Sequence, residues 1–261
     1  MVLPAAEQEY QISHASKLIR GAKYCVALTG AGISTPSGIP DFRSPGSGVW
    51  TKYSPMEVAS LSAFRYHPDR FYTWLRPFVR NLFEADPNPA HKALAKLEER
   101  GFLQSIITQN IDALHQRSGS KLVIEVHGTY LTLSCPACFQ QIEANADILN
   151  TLLESSQIPR CPLCETILKP DIILYEEQLP AEKWNLARTE IQACDLLLVL
   201  GSSLTVTPVS DLPYTALSSG AKIIIINRGC THLDNQAEVA LDGDLAELLP
   251  IIADKVIHEK S

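Results

Sequence analysis

A doubly wound α/β sheet of Rossmann-like type, joined to a smaller helical and zinc-binding module, is the fold class this sequence predicts. Three observations point to it: apolar runs alternating with helical patterns, a glycine turn straight after the first run, and two paired-cysteine knuckles. Short runs rich in β-branched residues read as buried strands at Tyr24–Thr29, Ser105–Thr108, Leu122–Val126, Leu196–Leu200 and Ile223–Ile226. Helical patterns occupy Glu7–Arg20, Pro89–Arg100, Leu179–Ala193 and Pro208–Ser219, with Gly101 and Gly220 as stop signals after the second and fourth. Such alternation builds a parallel sheet covered on both faces.

Two stretches break the alternation. Pro45–Pro87 is aromatic and punctuated by prolines, which suggests short helices packed as a lid. Leu131–Lys169 holds the cysteine knuckles around a helical centre, Glu143–Glu154. The expected division is a large nucleotide-binding unit of residues 1–44, 101–130 and 170–261, with a lid at 45–100 and a zinc module at 131–169 forming the small one. The terminal HEKS reads as frayed.

Composition narrows the function classes. With 261 residues, 46% of them hydrophobic, the chain can bury a full core. No apolar stretch approaches the ~20 residues of a membrane span, and the opening MVLPAAEQEY lacks the pattern of a signal peptide. A formal charge of −7 without a Lys/Arg run argues against nucleic acid and is compatible with a basic protein ligand. Neither nucleic acid nor membrane is expected as a partner.

Cys135 and Cys138 form one C-x-x-C and Cys161 and Cys164 another, 22 residues apart, while Cys25, Cys194 and Cys230 stand alone. This spacing is that of a zinc site, against the alternatives of a disulfide pair or a redox motif. Four thiolates complete a tetrahedral shell and leave no place for water, so one structural zinc is expected. Thiolates that hold metal belong in a reducing compartment, and a cytoplasmic location follows as an expectation.

The run Gly30–Arg43, GAGISTPSGIPDFR, leaves the first strand. Gly30-Ala31-Gly32 supplies two glycines of a phosphate-binding G-x-G-x-x-G, but Thr35 stands at the third. A long loop follows where a helix would normally start, as expected of a site that acts on a nucleotide as well as holding it. In open α/β sheets ligands bind at the carboxyl ends of strands. The other four strands end in Gln109-Asn110-Ile111-Asp112, His127-Gly128, Gly201-Ser202-Ser203 and Asn227-Arg228-Gly229. Together these ends outline one polar crevice suited to a dinucleotide. Locally, Gly201-Ser202-Ser203 fits a helix N-cap as well, and Asn110 and Asp112 fit caps of the following turn. His115 reads as a packed structural histidine. His127 ends a strand, has Gly128 leaving room beside it, and is the candidate general base.

At these residues the chain resembles the sirtuins, NAD-dependent protein-lysine deacylases, in a bacterial-type form with a single catalytic core. The motifs that carry the resemblance are GAGIS and SGIPDFR within Gly30–Arg43, TQNIDALH at Thr108–His115, His127-Gly128, the four cysteines, KPDII at Lys169–Ile173, GSSLTVTP at Gly201–Pro208, and Asn227. The resemblance implies that NAD is consumed: the acyl oxygen of a modified lysine attacks C1′ of the nicotinamide ribose, and nicotinamide leaves. Free lysine and an O-acyl-ADP-ribose result. It implies His127 as the base, and Asn110 and Asp112 with Ile111 as holders of the nicotinamide carboxamide. Gly30, Ala31 and Gly32 would cradle the pyrophosphate; Asp41, Phe42, Arg43 and Trp50 would form the cofactor loop; Gln109 would reach the ribose. Gly201, Ser202, Ser203, Asn227 and the backbone near Leu245 would hold the adenosine half. Ile173, Tyr175 and Val206 would flank an acylated peptide added as a strand.

Three departures stand out. Gly201-Ser202-Ser203 replaces the usual Gly-Thr-Ser, and Tyr175-Glu176-Glu177 replaces Phe-Gly-Glu, with Glu176 expected to favour basic residues in the substrate. Leu75 and Phe78 stand where acidic-acyl-preferring sirtuins carry Tyr and Arg, which implies an apolar acyl pocket for acetyl or longer apolar chains. The alternatives are a mono-ADP-ribosyltransferase or NAD glycohydrolase, and a non-catalytic NAD-sensing or zinc scaffold.

Overall fold

A computed structural model describes residues 5–44, 46, 48–154 and 157–259. Pro45, where the lid was expected to start, and Lys260-Ser261 of the HEKS expected to fray lie outside them. Helix α1 (Ala5–Gly21) leads into β1 (Cys25–Thr29). The lid follows as α2 (Pro55–Val58), α3 (Leu61–Tyr66) and α4 (Pro68–Glu84), then α5 (Pro89–Glu99) and β2 (Ser105–Thr108). After α6 (Leu114–Arg117) come β3 (Val123–Glu125), β4 (Gly128–Ser134), β5 (Gln141–Glu143), α7 (Ala146–Leu153) and β6 (Lys169–Ile172). The chain closes with α8 (Ala181–Ala193), β7 (Leu196–Leu200), α9 (Leu212–Ser218), β8 (Lys222–Asn227), β9 (Val239–Asp242) and α10 (Leu245–His258).

The large sheet is parallel throughout, in the order β3-β2-β1-β7-β8-β9. The central strands β1, β2 and β7 are buried along their whole length, which is why they read as unbroken apolar runs. Alternation along β1 splits the core in two: Cys25 and Ala27 pack with α1, α5 and α10, while Val26 and Leu28 pack with α8 and α9. Strand order reverses between β1 and β7, and a crevice opens above their carboxyl ends, the position where doubly wound sheets bind ligands.

The structure corrects several expectations. A sixth strand, β9, and the helix α10 extend the sheet and cover it where neither was expected. The lid's aromatic stretch is dominated by one 17-residue helix, α4, which continues through Pro77. The zinc module is built on a three-stranded antiparallel sheet, β5-β4-β6, as well as on the helix α7. Ala90, Ala93, Leu94 and Leu97 of α5 join the core under β1, so α5 packs with the large sheet although the lid was drawn to residue 100. No helix among the described residues is long and apolar enough to cross a membrane.

Candidate active site

Two glycine turns meet at the switch point. A Cβ on Gly30 would lie 2.7 Å from the Gly201 carbonyl, and one on Gly201, whose φ is +63°, would lie 2.4 Å from the Ile33 nitrogen. The Gly30 N–H donates to Leu200 O at 3.0 Å and the Gly32 N–H to Gly201 O at 2.9 Å. These glycines therefore serve the close approach of β1 and β7, and the Ala31 N–H at the start of a short 3-10 turn (Ala31–Ile33) is left to face a ligand. The expected cradle narrows to that amide. No helix follows Gly201-Ser202-Ser203 either: Ser202 is buried, its hydroxyl accepts from the Gln109 side chain at 2.9 Å and from Leu204 N at 3.3 Å. Exposed Ser203 bonds only Thr205, at 3.0 Å.

Below the turns lies a buried polar network whose partners are distant in sequence. Asn110 Nδ2 donates to Gly30 O and to Ser34 Oγ, both at 3.1 Å. Ser34 donates its one proton to Asp112 Oδ2 at 2.6 Å, while Asp112 Oδ1 accepts from Leu114 N at 3.0 Å. The Asp112 cap expected of the local sequence is thus present, and the same carboxylate also faces the site. Burial raises the Asp112 pKa, opposed by its bonds from Ser34 and Leu114. With its proton committed to Asp112, Ser34 Oγ accepts from His91 Nε2, 3.4 Å away, which fixes the His91 tautomer. His115 packs edge-on against His91 with centroids 4.9 Å apart and shares a hydrogen bond with Thr29 Oγ1 at 3.0 Å.

Sequence reasoning did not single out Ser34 or His91 as site residues. The signal for Ser34 lay inside its own glycine motif, and that for His91 in a histidine on the buried face of α5. Burial lowers the pKa of His91 to about 4, and burial with His91 beside it holds His115 well below the ordinary value. Between pH 6.5 and about 4 the unfolded chain binds protons at these rings that the folded chain excludes. Stability should therefore fall by about 1.4 kcal/mol per pH unit per ring across this window. Urea midpoints from pH 8 to pH 4.5 check this, and a flat profile would contradict it.

His127 follows β3 and is half-buried. Its Nδ1 lies 3.0 Å from the Gln109 carbonyl, which can only accept, so Nδ1 carries the proton and Nε2 keeps a free lone pair. Burial lowers its pKa, the Gln109 bond opposes this, and the Arg43 charge adds to the lowering; the ring is neutral near pH 7. Gly128 does not leave room for a ligand as expected. A Cβ there would lie 2.0 Å from Asp171 O, so the space is filled by the β6 backbone, and Ile173 N donates to His127 O at 2.8 Å.

The turn at residues 41–44 folds back on Val49 and Trp50. Asp41 spends its carboxylate on Arg43 N at 2.9 Å and on Ser44, and Val49 N and Trp50 N bond Asp41 O and Phe42 O at 3.0 Å. Phe42 stacks on Trp50 at 5.1 Å, Trp50 on Trp74 of α4 at 6.0 Å, and the Tyr175 edge meets Trp50 at 6.2 Å. Arg43 Nη2 donates to the Tyr175 hydroxyl at 3.4 Å. Half-buried Ile173 leads into this cluster, and half-buried Val206 lies beyond Leu204. Asn227 donates to Gly229 O at 3.2 Å; Leu245 has its side chain in the core, so only its backbone at the start of α10 can serve a ligand.

The four cysteine sulfurs of the small sheet lie within 4.8 Å of one another, with Cys135 3.4 Å from Cys164 and Cys138 3.5 Å from Cys161. Four sulfurs ~2.3 Å from one tetrahedral ion sit just under 4 Å apart, so the cluster fits a structural zinc.

The chain as a whole is similar to known proteins. The Sir2 family model matches residues 30–208. An NAD-dependent protein deacylase 2 of Archaeoglobus fulgidus is 41% identical over 254 residues, covering 97% of this chain and 99% of its own. An NAD-dependent protein deacetylase of Thermotoga maritima is 42% identical over 230 residues, 88% of this chain and 92% of its own. Among solved structures, a Sir2 enzyme studied for mechanism and regulation superposes with a TM-score of 0.89 at 41% identity, covering 95% of this chain and 98% of that one. A Sir2 variant holding a deacetylated p53 peptide and 3′-O-acetyl ADP ribose gives 0.88 at 39% identity, covering 94% and 98%. With a family model matched over most of the chain, the four cysteines inside that stretch, and nearly full coverage of the first relative in both directions, this chain belongs to the Sir2 family.

Proposed function

We propose that this protein removes acyl groups from protein lysines at the expense of NAD, giving nicotinamide and an O-acyl-ADP-ribose. The observation that carries the reading is Gln109, whose carbonyl fixes the tautomer of His127 while its side chain holds Ser202 across the crevice. NAD, when bound, supplies an electrophilic ribose carbon and a nicotinamide leaving group. Asn110, Ile111 and Asp112 would engage the carboxamide on a framework rigidified by Ser34. The Ala31 amide would meet the pyrophosphate, with Gln109 at the ribose. Gly201, Ser202, Ser203, Asn227 and the Leu245 backbone would hold the adenosine half. Phe42, backed by Trp50 and Trp74, would screen the reacting ribose from water. His127 Nε2 takes a proton from a ribose hydroxyl, its neutral tautomer being ready for that task. Ile173, Tyr175 and Val206 flank the acylated peptide.

The solved relatives include Sir2 enzymes with a p53 peptide and NAD and with a propionylated peptide. Mass spectrometry after incubation with NAD and an acetyl-lysine peptide tests the activity. O-acetyl-ADP-ribose is expected; ADP-ribosylated protein or free ADP-ribose alone would favour transferase or glycohydrolase chemistry, and unchanged NAD a scaffold.

The apolar side chains around Leu75 support an apolar acyl preference. A cavity of about 30 Å³ lies between α4, α7 and the small sheet, reached by Ile111 and Leu75 and lined by no charged side chain. Phe78 is not in its lining and packs on Trp74 at 5.2 Å. Both nearby arginines are turned to α7: Arg76 Nε donates to Leu152 O at 3.0 Å, and Arg80 pairs with Glu154 at 3.5 Å. A succinyl carboxylate directed at this apolar wall would be desolvated without a charged partner. Deacetylation should exceed desuccinylation at least ~100-fold in kcat/KM on matched peptides. Faster succinyl removal would refute this pocket.

The two-part organisation is also our proposal, with the lid, the zinc module and its sheet set against the six-stranded sheet; the separate aromatic and cysteine-centred clusters support it. A cytoplasmic location is supported by the four thiols gathered for metal, which need a reducing compartment.

A further inference from the structure

The segment after β6 is tied to the lid by its backbone. Tyr175 N donates to Ala59 O and Leu61 N to Tyr175 O, both at 3.0 Å, making a one-residue bridge at Ser60. The next residue, Glu176, has a φ of +74°, a left-handed conformation that glycine adopts freely and glutamate does not. Its carboxylate explains what the side chain does there. Glu176 Oε2 accepts from Ser62 N at 2.8 Å, and Ser60 Oγ accepts from Ala63 N at 3.0 Å, so two side chains cap the first turn of α3, one of them from the segment after β6. The bonds from Ser62, backbone and hydroxyl, and then Arg65 nearby keep this carboxyl ionised below the usual range. The sequence expectation that Glu176 addresses basic residues of a substrate is replaced, since its charge is committed to the lid.

From this contact we infer that Glu176 is a positioning residue that clasps the lid helix α3 to the peptide-flanking segment Ile173–Tyr175 and thereby sets peptide affinity. The inference rests on the proposed reading that this segment flanks the substrate. A peptide entering beside Ile173 and Tyr175 meets a wall already fixed to the lid by three contacts, the two backbone hydrogen bonds and the Glu176 carboxylate. Loss of the third leaves the segment free to shift before the peptide docks, and ordering it then weakens binding. The Tyr175 contacts to Trp50 and Arg43, on the side where NAD is proposed to bind, are made by the tyrosine ring and hydroxyl and not by Glu176.

Glu176→Gly separates positioning from stability, because it removes the cap and the backbone strain together. Its melting temperature should stay within about 2 °C of the parent. Ser62 amide hydrogen exchange should quicken, and the KM for an acetyl-lysine peptide should rise roughly 3- to 5-fold. The KM for NAD and kcat should not change. Glu176→Gln, whose amide oxygen still accepts from Ser62, should restore most of the peptide KM. An unaltered Ser62 exchange rate in Glu176→Gly would refute the clasp, and an unaltered peptide KM with faster exchange would refute the positioning role. Ile173→Ala tells the two readings apart. If it raises the peptide KM while Glu176→Gly does not, the clasp alone falls; if neither does, the flanking assignment falls with it.

Discussion

Replacing His127 by alanine should lower deacylation by about 10²- to 10⁴-fold, the usual contribution of a positioned general base, with NAD affinity nearly unchanged. The ring's one fixed hydrogen bond goes to a backbone carbonyl, so its removal leaves no charged partner behind. Nicotinamide release needs no proton acceptor at Nε2 in the proposed sequence, so exchange of labelled nicotinamide into NAD should persist in the variant when peptide is present. The wild-type pH profile should agree. The His127 pKa is lowered, chiefly by burial, and the reactive form is neutral. The kcat/KM should therefore rise with pH through an acid limb centred below ~6.5 and then level off. Initial rates from pH 5 to 9, with O-acetyl-ADP-ribose quantified by mass spectrometry, check both expectations. A variant within tenfold of the parent, or an acid limb above pH 7, would remove His127 from the base role.

How far this site could be read from sequence depends on how local its causes are. The strand ends were legible because short apolar runs stop at a polar residue or a glycine, so Gln109, His127, Gly201 and Asn227 could be placed at one edge. The reason for Gly30 was not. Its lack of a side chain answers a carbonyl 171 residues away in the chain, and the glycine beside His127 answers the backbone of β6 rather than a ligand. The Ser34, His91 and Asp112 network joins three elements separated by as many as 78 residues, each hydrogen bond invisible until the sheet brings them together. β9 and α10 were hidden by local signals with the opposite meaning: Asp242-Gly243 imitates a loop, and Pro250 interrupts a run that tertiary packing keeps helical. The small sheet was hidden because two of its strands, β5 and β6, are short and one of these begins with Lys-Pro.

Cys161→Ser should abolish zinc binding and, with it, catalysis at a distance. Cys161 is fully buried among Leu133, Cys135 and Leu168, so the change removes one ligand of four and places a hydroxyl in a small apolar cluster. A structural zinc contributes on the order of 10 kcal/mol of folding free energy in isolated modules. Its loss should lower the melting temperature by roughly 10 °C or more, or uncouple the small sheet from the main transition. The damage should travel because of β4. That strand is seven residues long, with Cys135 immediately after its last residue and His127 immediately before its first. Its partner β6 feeds Ile173, which holds the His127 carbonyl, and Lys169 and Glu177 close the far side with an ion pair at 2.9 Å. When the metal no longer fixes one end of β4, the other end can no longer hold the imidazole against Gln109. Zinc content by elemental analysis, thermal unfolding and deacylase rate should therefore fall together, although no thiolate lies at the chemistry. A zinc-free variant that melts with the parent would refute the structural role. One that keeps its stability and loses only activity would relocate the metal to the reaction itself, which a closed shell of four sulfur ligands does not allow.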